Sequence, residues 1–352
     1  MLNAIVCGTT FGQVYMKALE KMEGIKLCGI LAQGSTRSVK CAERFGVPLY
    51  DSVELLPKNI DIAFVVIKSS VLGGKGTEIA LELINKKINV MQEHPVHHKD
   101  IEKCYVKAKE KGVLYKVGNL YNFLESVKIF IEASKFLNEN DCLEYVDVLS
   151  SSQGAYSLIG ILNYCLPNFR GFEIEKNDGK TKYPFSKIEL FNYGVKVNIK
   201  LHNEVSDKDG NNHMHLLHRI IIFYESGRLE LEDTFGSVVW RARMNIKDTV
   251  QPDEKDMDRP MSLQLMGETS FSFRELIDSV FPKASMSEIY GFISDISKNK
   301  MNAINAHNEM LISKKWSEIM SEVGYPKNRE YRSEYIDHSP ALKTLRNKYE
   351  SK

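Results

Sequence analysis

The chain predicts an α/β fold: a doubly wound parallel sheet over residues 1–120, then an α+β domain over 121–352 with a large, mostly antiparallel, open-faced sheet. Three observations predict it. Short apolar strands alternate with amphipathic helices through the first third, which means right-handed βαβ units and a parallel sheet covered on both faces. Beyond Tyr121 longer strands of alternating polarity take over, separated by turn residues such as Ser226-Gly227 and Asp209-Gly210-Asn211. At 352 residues the chain also exceeds the size of one hydrophobic core, so two domains are expected.

The elements follow in order. A continuous apolar strand over 4–7 precedes a helix whose Phe11, Val14, Tyr15, Ala18, Leu19 and Met22 recur at three and four residues, giving one buried face. Strands over 26–31, 61–67, 88–91 and 113–117 alternate with helices over 39–45, 76–86 and 101–111. In the second part a helix over 124–136, a strand over 143–150 and a helix over 158–166 lead to strands over 187–192, 195–203, 214–224, 229–233 and 238–243. The polar, proline-bounded run 247–259 reads as a loop, and the last hundred residues as mainly helical.

Composition narrows the function classes. Hydrophobic residues make up 43% and charged residues 26%, ordinary for a globular protein. With 47 basic and 46 acidic residues the net charge is +1, so nothing draws the chain to nucleic acid or to anionic membranes. No apolar run approaches the roughly 20 residues of a membrane span. The opening strand argues against a signal peptide. Cys7, Cys28, Cys41, Cys104, Cys142 and Cys165 form no C-x-x-C pair, the usage of reduced thiols in a cytoplasmic protein.

Three loops after strands carry the candidate ligand contacts, because ligands of an open α/β sheet sit outside the carboxyl ends of its strands. Gly8-Thr9-Thr10-Phe11-Gly12-Gln13 joins the first strand to the first helix, where a dinucleotide pyrophosphate meets a helix N-terminus. The glycine pattern is degenerate, with Thr10 and Gln13 at the second and third glycine positions. After the second strand, Gln33-Gly34-Ser35-Thr36-Arg37-Ser38 has an arginine among hydroxyls instead of the acid that holds an NAD ribose. Gln33, Ser35, Arg37 and Ser38 therefore predict a 2′-phosphate, and NADPH as the cofactor. The alternative is that Ser35 only caps the next helix. Ser69, in the small-residue loop 68–76, is a third candidate contact.

Gln92-Glu93-His94-Pro95 closes the strand over 88–91. The proline ends the ladder and pushes His94 into an extended conformation, delivering an imidazole where it can move a proton near neutral pH. The same arrangement could also be a satisfied local hydrogen-bond pair.

Together these motifs resemble the Gfo/Idh/MocA oxidoreductases, which join a Rossmann domain to an open-faced sheet domain. That family usually carries Glu-Lys-Pro where this chain has Glu93-His94-Pro95. The combination of residues 6–13, 31–35 and 92–97 resembles one branch, the thiazolinyl imine reductases of siderophore biosynthesis. The resemblance implies NADPH-dependent reduction of a thiazoline to a thiazolidine, on a substrate tethered to a carrier domain of a nonribosomal peptide synthetase. It further implies a homodimer, proton donors at His94 and at Tyr121 in Gly118-Asn119-Leu120-Tyr121, and Glu93 among the cofactor-side residues. The chemistry suits these side chains: hydride to the imine carbon leaves the ring nitrogen needing a proton. Two rival readings share the fold: a sugar or polyol dehydrogenase, which would favour lysine at position 94, and a non-catalytic NADP-binding sensor.

Other signals are weaker. His213, His215 and His218 split between two faces of a strand and lack a matching carboxylate or thiolate, so solvated or loop-end histidines are expected and no metal site is. Asp207, Asp209 and Asn211 place the glycine wrongly for a calcium loop. His97 and His98 begin a helix, and Ser150, Ser151 and Ser152 have no base beside them in sequence.

Overall fold

The computed structural model of the protein describes residues 1–175, 184–206, 214–244, 258, 260–267, 271–298, 303–330 and 336–350. The turn at Asp209-Gly210-Asn211, the calcium-like set, His213 and all of the 247–259 loop except Asp258 lie outside the described residues.

The first sheet has six parallel strands in the order β3-β2-β1-β4-β5-β6. They are β1 Leu2–Cys7, β2 Ile25–Leu31, β3 Leu49–Tyr50, β4 Ile62–Val65, β5 Asn89–Glu93 and β6 Tyr115–Gly118. Helices α1 Gly12–Glu20, α2 Thr36–Phe45, α3 Gly76–Asn85 and α4 His98–Lys111 cross over between them. Strand β4 and all of β1 from Ala4 onward are buried, as expected of a covered parallel sheet: Ala4, Ile5, Val6, Cys7 and Ile62, Ala63, Phe64, Val65 have no exposed surface. The strand order reverses beside β1, which opens a crevice at the carboxyl ends of β1 and β4.

Helix α5 Glu125–Asn140 leads into an eight-stranded sheet, order β15-β14-β13-β12-β7-β10-β9-β8. Its strands are β7 Leu143–Ser151, β8 Glu173–Glu175, β9 Phe185–Asn192, β10 Val195–His202, β12 His218–Tyr224, β13 Gly227–Leu231, β14 Val238–Ala242 and β15 Ser262–Met266. All neighbours are antiparallel except β7 and β10. Helix α6 Ala155–Cys165 is buried along most of its length against the inner face. The short strand β11 Glu204–Val205 pairs with β16 Lys327–Asn328.

Two helices then return to the first sheet. Helix α7 Phe281–Ser297 buries Ile289 and Phe292 in the cluster that contains Ala4, Tyr15 and Met16. Helix α8 Ala303–Val323 packs on α4 and α6, and helix α9 Ser339–Glu350 lies exposed.

Several expectations shift. Helix α2 begins at Thr36, because the Ser35 hydroxyl accepts the Ser38 N–H and starts the helix earlier. The strand expected from 214 begins at His218. Beyond the expected strands the structure has β3, β8, β11 and β16, and also β15. Strand β15 pairs with β14 inside a stretch that reads as helical, because Leu263 and Leu265 alternate over too few residues to register against the helices that follow.

Candidate active site

Gly8 follows β1 with φ +95°, and a Cβ there would stand 2.5 Å from the Val66 carbonyl oxygen, so only glycine makes this turn. Gly12 lets α1 approach β1: its Cβ would meet Val6 Cγ1 at 3.0 Å. The close-packing glycine therefore stands one residue before Gln13, and the Gln13 amide instead donates to the Thr9 carbonyl at 3.0 Å. Helix α1 has no side-chain cap from Phe11 and no acid in its first turn. Its first N–H groups are open to an anion, and the residues fit a dinucleotide pyrophosphate. Thr9 is buried and Thr10 exposed.

The α2 start stands beside this loop. Arg37 Nε lies 3.5 Å from Thr9 Oγ1, with the guanidinium otherwise exposed. Ser38 is fully buried and donates to the Ser35 carbonyl at 2.8 Å, while the exposed Gln33 donates to the Asp51 carbonyl at 3.2 Å. Arg37 thus joins the phosphate loop, whereas the hydroxyls of Ser35 and Ser38 shape the helix start. Ser69 is buried and donates to the Pro95 carbonyl, tying the loop after β4 to the end of the His94 motif.

His94 is the centre of the site. The His94–Pro95 peptide is cis. The ring Nδ1 lies 3.0 Å from the Gly118 carbonyl and 3.1 Å from Glu93 Oε1, which leaves Nε2 as the nitrogen able to serve a ligand. The other Glu93 oxygen accepts from the Tyr15 hydroxyl. Burial disfavours the imidazolium, but the Glu93 charge, its hydrogen bond and the Gly118 carbonyl outweigh burial, and the His94 pKa stands above the ordinary histidine value. Tyr156 from α6 stacks on the ring at 5.1 Å and 18°. Tyr121 meets it edge-on at 6.0 Å, and burial with the Glu93 charge keeps the Tyr121 phenol protonated. The structure therefore brings Glu93, His94 and Tyr121 together.

On the other side of Tyr121, 5.7 Å away, is His218. It is not a solvated histidine as its sequence position suggests. It faces inward from the first position of β12 and has no exposed surface, because the β12 register places residues 218, 220, 222 and 224 on the covered face. Its Nε2 lies 2.9 Å from Ser157 Oγ and 3.1 Å from the Gly154 carbonyl, and its Nδ1 3.0 Å from Thr234 Oγ1. Among the described residues no group of three His, Cys, Asp or Glu side chains is arranged to hold a metal ion. His97 caps α4, accepting the Lys99 N–H at 3.3 Å.

Sequence reasoning missed Tyr15, Tyr156, His218 and two carboxylates from the returning helices. Glu288 on α7 accepts the Asn119 N–H at 2.7 Å, and Glu309 on α8 accepts the Val117 N–H at 3.0 Å and the Tyr105 hydroxyl at 2.7 Å. Edge strand β6 and the residue just after it thus each give an N–H to an acid of the second part of the chain. Burial pushes both acids up to about 7. Only the alternating apolar pattern of α7 hints at Glu288, as an acid on a buried stripe.

A glycine-turned phosphate loop at the switch point of a parallel sheet, facing an ionisable histidine–glutamate pair, defines a nicotinamide-dependent oxidoreductase. Residues 2–119 match the family described as "Oxidoreductase family, NAD-binding Rossmann fold" of the Gfo/Idh/MocA type, and residues 142–241 match "Thiazolinyl imine reductase Irp3-like, C-terminal". The first part of the chain thus matches a Gfo/Idh/MocA-type Rossmann domain and the second an Irp3-like C-terminal domain. No curated protein matches it in sequence.

Solved structures share the fold across nearly the whole chain. A variant of KijD10, a 3-ketoreductase from Actinomadura kijaniata in complex with TDP-benzene and NADP, is 13% identical with TM-score 0.65, covering 94% of this chain and 99% of that one. GenD2 from gentamicin A biosynthesis in complex with NAD is 11% identical with TM-score 0.64, covering 90% and 92%. The dehydrogenase MviM from Clostridium difficile is 15% identical with TM-score 0.62, covering 91% and 99%.

Proposed function

We propose that the protein reduces a thiazoline C=N bond to a thiazolidine, with NADPH as reductant, on a siderophore intermediate carried by a nonribosomal peptide synthetase. The observation that carries this reading is the Glu93–His94 pair: a buried imidazole kept protonatable by its own neighbour, where the family usually has lysine. The match of residues 142–241 to the Irp3-like domain supports the imine as substrate.

The Gly8–Gly12 loop would hold the pyrophosphate of a nicotinamide dinucleotide, which when bound would supply hydride to the imine carbon. The rest falls to this chain. His94 Nε2 gives the ring nitrogen its proton, Glu93 and Gly118 hold the ring by Nδ1, and Tyr156 fixes its plane. Tyr121 is the alternative donor, its hydroxyl kept protonated beside the same pair. Arg37, next to Thr9, supports the 2′-phosphate of NADPH over the bare ribose of NAD. A homodimer through the open face of the large sheet, where Leu149, Ile221 and Phe223 are half-buried, and a cytoplasmic setting belong to the same reading.

The test is NADPH oxidation with a thiazoline substrate analogue, run beside sugar and polyol substrates with NAD. Turnover of the thiazoline alone is expected; turnover of a polyol alone overturns the reading. Arg37→Ala is expected to weaken NADPH by roughly tenfold to a hundredfold while sparing NADH; equal losses for both would remove the 2′-phosphate assignment.

A further inference from the structure

Glu288 lies outside the proton-delivering group yet is built into its support. It is 1% exposed, and only one of its oxygens has a hydrogen-bond partner, the Asn119 N–H at 2.7 Å. Its Oε2 is buried without a partner, as are Ser285 Oγ one turn earlier and the side-chain oxygens of Asn119 and Asn122. A buried carboxyl oxygen left without a partner is costly, and such groups mark strain or function. The segment Glu288 grips is the one that matters: Gly118 supplies the carbonyl that holds His94, and Tyr121 follows two residues after Asn119.

We propose that Glu288 is a positioning residue for proton delivery: it fixes the Gly118–Tyr121 segment through the Asn119 N–H, and its carboxylate charge helps keep His94 protonated. This rests on His94 as proton donor. The groups that face Glu288 are Lys116 from β6, Glu93 at the end of β5 and His94 just after it, Tyr15 from α1, Tyr164 from α6 and Glu309 from α8. Burial above all, and then Glu93, oppose the charged form of Glu288, while Lys116, the Asn119 N–H and His94 favour it. Because Glu288 loses its proton only at about pH 7, its charge acts on His94 above that point and vanishes below it.

Two substitutions separate the two duties. Glu288→Gln keeps an acceptor for Asn119 and removes the charge; Glu288→Asp keeps the charge and shortens the reach. In full-length protein saturated with NADP, the His94 titration is followed by NMR, assigned with His94→Asn, alongside the pH profile of kcat. Glu288→Gln is expected to lower the His94 midpoint, and to move the alkaline limb of kcat to lower pH, by on the order of half a pH unit. The two curves should converge in acid. Glu288→Asp is expected to leave the limb in place and to lower kcat by roughly threefold to tenfold through misplacement. An unmoved midpoint in Glu288→Gln overturns the charge role, and unchanged kcat in Glu288→Asp overturns the positioning role. If His94→Asn retains full turnover, the donor reading fails, while the NMR midpoint still reports on Glu288 independently.

Discussion

Two buried histidines flank the Tyr121 ring, and they are tuned in opposite directions. His94 has a carboxylate and a carbonyl at Nδ1, and its pKa stands above the ordinary value although burial opposes this. His218 has only neutral partners, Ser157, Gly154 and Thr234, and burial pushes it down to about 4. The Gly154 carbonyl favours its charged form too weakly to offset burial. Burial favours the neutral form of both rings, and at His94 the adjacent acid and the Gly118 carbonyl carry the same side chain the other way, toward the charged form. Both rings touch the same tyrosine, so position near the site does not distinguish them; the Glu93 carboxylate does.

The strongest way to break this contrast is to remove the donor. His94→Ala is expected to lower kcat for the thiazoline by roughly 10²–10⁴-fold, the usual worth of a general acid, with NADPH affinity nearly unchanged. Stopped-flow reduction together with a fluorescence titration of NADPH would measure both. A loss below about tenfold would move the role to Tyr121 or to water. Next in size is Glu93→Gln, which removes the largest influence favouring the charged form of His94 and leaves only the Gly118 carbonyl and the Glu288 charge against burial, closer to the situation of His218. Its protonated fraction then falls at neutral pH, so kcat is expected to drop about tenfold to a hundredfold there and to recover in acid. A pH profile that keeps its alkaline limb would show that Glu93 is not what separates the two histidines.

The contrast also marks what the sequence makes legible. The βαβ order, Gly8 and the 92–95 motif are local: each strand is a short apolar run, and Glu93 is the chain neighbour of His94. Arg37 is local in the same way, one helix start after β2. The partners of His218 lie at Ser157 and Thr234, and Asn119 meets Glu288 across 169 residues. No periodicity encodes such pairs, because they depend on how α6, α7 and β12 pack. The inward face of His218 illustrates this: a strand read from Met214 and one starting at His218 have the same alternation, and only the pairing with Ser150 on β7 decides which side is covered. Lys in place of His at position 94 would have been read just as easily, and with the opposite conclusion about substrate.

The smallest effect on turnover belongs to His218, where stability is the more telling measurement. In the folded chain it stays neutral to about pH 4, whereas in the unfolded chain it takes up a proton near its ordinary value of 6.5. The unfolded state binds more protons in that window, so the stability that His218 contributes is present above pH 6.5 and is lost as pH falls toward 4; the gap is worth about 3 kcal/mol. His218→Gln cannot take up that proton. It should be less stable than the parent near neutrality by about 1–3 kcal/mol, since the Ser157 and Thr234 hydroxyls lose a partner, and the difference should shrink or reverse toward pH 5. Urea unfolding at the two pH values tests this. The alkaline limb of kcat should stay where His94 and Glu93 set it; a limb that moves with His218 would mean that the two rings titrate as one unit across Tyr121.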